Sequence, residues 1–63
     1  MDVAARLRDA RGDIPRAKVC QDLDIGLSTL AMYETGQRVP RDEIKKRLAK
    51  YYGYSIEALF YTE

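Results

Sequence analysis

Histidine and tryptophan are absent from this 63-residue chain, and cysteine occurs once. Without an imidazole there is no ready general base near neutral pH and nothing to activate a serine or cysteine nucleophile. The single cysteine, Cys20, rules out an internal disulfide and a Cys/His zinc site within one chain, and points to a reducing compartment such as the cytoplasm. A Gly-rich phosphate loop, a Ser/His pair and a metal-ligand set are all missing. The chain is therefore expected to be no enzyme, to need no cofactor and to hold no small-molecule ligand. Apolar runs are short, far below the roughly 20 residues a membrane span needs. The stretch holding Asp2, Arg6 and Arg8 lacks the apolar core of a signal peptide. Alternating apolar segments of useful strand length are missing too. Charge of one sign is not in excess: 11 basic and 10 acidic side chains leave a formal net charge of +1.

What the chain does have is helical punctuation. Asp2 is a candidate N-cap for a first helix, about Val3 to Arg11, with Val3, Leu7 and Ala10 on one face and Gly12 ending it. Pro15 suits the first position of a second helix, with Ile14 as its cap, and Val19, Cys20 and Leu23 then share a face. Asp24-Ile25-Gly26 breaks that helix, since Asp enters the left-handed region more readily than most residues. A third helix is expected from Leu27 to Tyr33 or Glu34, ended by Gly36. Pro40 marks the approach to a fourth. Its first turn holds Asp42 and Glu43 and its far end holds Lys45, Lys46, Arg47 and Lys50, an order that suits the helix dipole. Ile44, Leu48, Tyr51 and Tyr52 form its apolar face, and Gly53 closes it. Ser55 can cap a short fifth helix carrying Ile56, Leu59 and Phe60. The expected fold class is all-α: five short helices in one domain over residues 1–63, with Val19, Leu23, Ile25, Leu30, Leu48 and Leu59 among its most buried side chains.

The informative spacing is a three-residue turn between two short helices, Arg16 to Leu23 and Leu27 to Glu34. So short a turn favours a steep crossing over antiparallel packing, the arrangement of a DNA-binding helix-turn-helix, here about residues 15–34. The basic residues gather in groups, Arg6–Arg8–Arg11, Arg16–Lys18, Arg38–Arg41 and Lys45–Lys46–Arg47–Lys50. Each group alone reads equally well as a solvated helix surface.

Tyr33-Glu34-Thr35-Gly36-Gln37-Arg38-Val39-Pro40 resembles the "YE-x-G-x-x-x-P" segment of the Xre/Cro family of phage-repressor-like regulators. Val19-Cys20, Leu23-Asp24-Ile25-Gly26 and Ser28-Thr29-Leu30 stand where that family has Leu-Ala, Leu-Gly-Ile-Ser and Ser-Thr-Ile. Leu48-Ala49, Gly53-Tyr54-Ser55 and Leu59-Phe60 keep the family spacing from Pro40. The resemblance covers nearly the whole chain. It implies that Leu27, Ser28, Ala31 and Met32 face base edges of double-stranded DNA, and that Arg16, Gln37, Arg38 and Arg41 approach the backbone. It also implies an ion pair between Arg11 and Glu34.

The base-facing set carries no Arg, Asn or Gln, the residues that grip purines at two points. Ser28 can make one hydrogen bond. Leu27 and Met32 can touch only thymine methyls or ribose edges, so DNA shape is expected to contribute to readout. The resulting expectation is a transcription regulator of the bacterial, repressor-like kind. It would bind a two-fold operator as a homodimer through Leu59, Phe60 and Tyr61. The apolar recognition surface leaves a second reading open: the same fold used as a protein-binding module, such as an antitoxin or anti-repressor subunit.

Overall fold

A computed structural model describes residues 2–61, which form four α-helices and one π-helical turn. The helices are α1 (Val3–Arg11), α2 (Arg16–Leu23), α3 (Leu27–Glu34) and α4 (Asp42–Tyr52), and the π turn spans Glu57–Tyr61. Among the described residues there is no strand, and no helix is long and apolar enough to cross a membrane. The radius of gyration, 10.4 Å, is close to the value of about 10.6 Å expected of a compact domain of this length.

Each boundary follows from local chemistry. Gly12, at φ 56°, turns the chain after α1 and returns its N–H to the Arg8 carbonyl. Gly53, at φ 81°, does the same for α4, returning its N–H to Ala49 and Lys50. A side chain at either position would meet the left-handed backbone penalty. Asp42 and Glu43 occupy the first turn of α4 and Lys50 the last. Ser55 Oγ accepts the Ala58 N–H at 3.0 Å, so the serine does cap the final turn. Two caps differ from expectation. Asp2 has the extended backbone of an N-cap but makes no side-chain hydrogen bond. Pro15 flanks α2 and does not open it: its φ of −61° suits a helix, but its ψ of 143° is extended. The ring fixes only φ, and ψ follows the incoming loop.

The core joins all five elements. Leu7, Val19, Leu30 and Leu48 are wholly buried, with Cys20, Leu23, Tyr33, Ala49, Leu59 and Phe60 around them. Ile25 is only half-buried, packed on the rim of this cluster, because the turn that carries it runs over the surface. The larger correction concerns Leu59 and Phe60. Both were expected at a dimer contact, yet at 2% and 7% exposure they belong to this chain's own core. The π turn packs on α1, and Arg6 reinforces this by donating to the Ala58 carbonyl. Of the three residues assigned to dimerisation, only Tyr61 stays exposed.

Two polar links tie α4 to α2. Arg47 donates to the Leu23 carbonyl, which α2 leaves open at its C-terminus. The Tyr51 hydroxyl donates to Asp22 at 2.5 Å, and Lys18 donates to the same carboxylate at 3.1 Å. The Tyr51 hydroxyl first, then Lys18, holds the Asp22 carboxyl below the ordinary aspartate range.

Tyr52 presents the opposite case. Its hydroxyl is buried without a hydrogen-bond partner. Burial, then the negative charge of Glu34, pushes its pKa up to about 12. A phenol raised in the folded state contributes stability in full below the unfolded value near 10, and loses it as pH climbs through the folded value. An ultraviolet titration should therefore show a late ionisation, that of Tyr52, near pH 12, together with a fall in the urea midpoint above pH ~10. Tyr52→Phe should remove that late ionisation. A titration curve that Tyr52→Phe leaves unchanged in that range would refute this burial.

Candidate nucleic-acid interface

The turn between α2 and α3 depends on Asp24, the only non-glycine among the described residues with positive φ (57°, ψ 50°). Its N–H and that of Ile25 both return to the Cys20 carbonyl, the Ile25 bond at 3.0 Å. The Cys20 thiol lies 3.6 Å from the Gly26 carbonyl, as donor. Cys20 is thus a packing and turn residue, and burial pushes its pKa up, away from the reactive thiolate. Gly26 is extended and its carbonyl accepts the Leu30 N–H at 3.0 Å, which starts α3.

Successive side chains on an α-helix turn by about 100°. On α3 this sets Leu30, Tyr33 and Glu34 on one arc and Ser28, Ala31 and Met32 on the other, with Leu27 at the edge between Ala31 and Glu34. Burial follows that division. Leu30, Tyr33 and Glu34 are buried, Leu27 and Ser28 are exposed, and Ala31 and Met32 are half-buried. All four residues assigned to base edges therefore lie on the outward arc or, for Leu27, at its edge. After α3, Gly36 at φ 79° turns the chain, and the N–H groups of Gln37 and Arg38 return to the Met32 carbonyl. Gln37, Arg38 and Arg41 are exposed. Arg38 and Arg41 line an open cleft with Gly26 and Thr29, at the N-terminal end of α3.

Arginines also converge on the other end of α3. Glu34 is fully buried. Arg11 Nε donates to its Oε2 at 2.8 Å, and Arg16 Nε donates to its Oε1 at 2.8 Å. Arg8 donates to its main-chain carbonyl. Arg11 also donates to the Ile14 carbonyl at 2.9 Å, fixing the loop before α2. The Arg11–Glu34 pair is present, as the family resemblance implies. Arg16, expected to approach the DNA backbone, also commits its Nε to Glu34. Its side chain is nonetheless 40% exposed, and the two terminal nitrogens of its fork remain free to donate outward. The hydrogen bond that Arg11 donates to Glu34 holds its guanidinium above its usual range, burial working against it.

Sequence reasoning passed over Arg8, Arg47 and Val39. Arg8 and Arg11 share the last turn of α1, a local signal for a joint partner. The contact of Arg47 with Leu23 joins residues distant in sequence and has no local signal. Val39 is the most exposed large apolar side chain among the described residues, and it lines the same cleft as Arg38 and Arg41.

An all-α domain with a three-residue turn, an outward recognition arc and arginines at both ends of α3 is a helix-turn-helix domain. The helix-turn-helix domain family matches residues 2–59, and the chain belongs to that family. Such domains are those of DNA-binding regulators, a group typically without enzymatic activity. No curated protein and no solved structure matches the chain.

Proposed function

We propose that this protein is a small repressor-like transcription regulator of the Xre/Cro kind, acting in the bacterial cytoplasm and binding a two-fold operator in duplex DNA as a homodimer. The observation that supports it is the outward arc of α3 set between basic groups. Arg16 stands at the Glu34 end, and Arg38 and Arg41 stand by Gly26 and Thr29. Leu27, Ser28, Ala31 and Met32 would enter the major groove, while Arg16, Gln37, Arg38 and Arg41 would hold the phosphates on either side. The dimer contact has to be drawn elsewhere than Leu59 and Phe60, and Tyr61 is the part of the assigned surface still available.

The second reading, a protein-binding module, is favoured by Leu27 and Val39, which are 54% and 66% exposed. Selection from a random duplex library at low salt separates the two. The regulator reading expects enrichment of a palindrome with half-site centres about 10 base pairs apart. Absence of any enrichment, with Leu27→Ala abolishing a salt-tolerant protein complex, supports the module instead.

A further inference from the structure

The outward arc of α3 is nearly devoid of hydrogen-bonding groups. Leu27 is 54% exposed at its start, Ala31 and Met32 are half-buried along it, and Ser28 is the one polar member. Val39, 66% exposed, lines the cleft with Gly26, Thr29 and Tyr33, which flanks the arc on the side away from Leu27. A purine edge in the major groove offers acceptors and donors that such side chains cannot satisfy. The one apolar feature of the major-groove code is the C5-methyl group of thymine. Around this apolar centre Arg16 is partly exposed and Arg38 and Arg41 are exposed. That charge pattern suits a duplex, whose phosphates flank the groove, better than an apolar protein surface.

We infer that the domain discriminates base pairs chiefly by their C5-methyl groups, with Leu27 as the principal reader, Ala31 beside it one turn on, and Met32 farther round the same arc. The inference rests on the DNA-binding reading above and adds the chemical feature that is read. It carries a consequence: cytosine methylated at C5 presents the same group at the same place, and is read as thymine is. Each methyl taken out of water is worth about fourfold in an equilibrium constant.

The test uses the full chain and a duplex recovered from the random library. Each thymine is replaced singly by deoxyuridine, which removes the methyl and leaves every hydrogen bond. Affinity is measured by fluorescence anisotropy at fixed salt. At the thymines facing α3, binding should weaken about fourfold. Replacing such a T·A pair by C·G should weaken it as well, and C5-methylation of that cytosine should recover the methyl's share. Leu27→Ser, at an exposed position, should bind thymine and deoxyuridine duplexes alike. Selection of a site with no thymine facing α3, or deoxyuridine duplexes bound as tightly as their parents throughout, overturns methyl readout while leaving the DNA-binding reading intact. No duplex binding at any salt overturns both.

Discussion

Glu34→Ala should destabilise the domain by about 3–5 kcal/mol, the cost typical of breaking a buried ion pair from one side. The carboxylate is fully buried and divides its two oxygens between Arg11 and Arg16, each at 2.8 Å. Removing it leaves the Arg11 guanidinium, only 18% exposed, without its counter-charge. Glu34→Gln should also be costly, since its NH2 group would face an arginine N–H, donor against donor. Arg11→Ala and Arg16→Ala should each cost less than Glu34→Ala, because the other arginine still satisfies one carboxylate oxygen. Urea denaturation of the four variants gives this order directly. The Glu34 effect should persist at high salt, because buried pairs are poorly screened. A loss under about 1 kcal/mol that salt abolishes would mark a surface ion pair and remove the role assigned to Glu34.

Leu30→Ala should cost about 2–5 kcal/mol, the range for emptying a well-packed leucine site. Leu30 is wholly buried on the inward arc of α3, in the cluster that joins α1, α2, α4 and the π turn. For a chain of this length the whole stability is on the order of 3–9 kcal/mol. The variant should thus lose about a fifth of it or more, with the urea midpoint falling and the slope unchanged. A loss below about 1 kcal/mol would mean that α3 is not seated as described. Because Leu30 lies opposite Ser28 and points into the core, any residual DNA binding by folded Leu30→Ala should keep its sequence preference.

The helix boundaries were legible because each is written in local chemistry. Asp24 takes the left-handed turn, Gly12 and Gly53 close α1 and α4, and Ser55 caps the final turn. The outward arc of α3 was legible for the same reason, since helical period fixes which side chains share a face. What the sequence withheld depends on how elements cross. Arg11 and Arg16 lie on different helices, and only the packing of α1 and α2 against α3 brings both to one carboxylate. Nothing near Leu59 and Phe60 in the sequence signals what covers them. Their cover comes from α1, at the opposite end of the sequence. Ile25 resembles a core residue by type, and its position in a surface turn overrides type.

In the proposed complex, arginines at the two ends of α3 hold a duplex against its outward arc. The most direct measurement is duplex affinity as a function of salt for the unmodified chain and for Arg16→Ala, Arg38→Ala and Arg41→Ala. Log affinity should fall linearly with log salt, with a slope shallower by about 0.9 for each arginine removed and little change in preferred sequence. Binding that is absent at low salt, or a slope that none of the three substitutions alters, would contradict this arrangement.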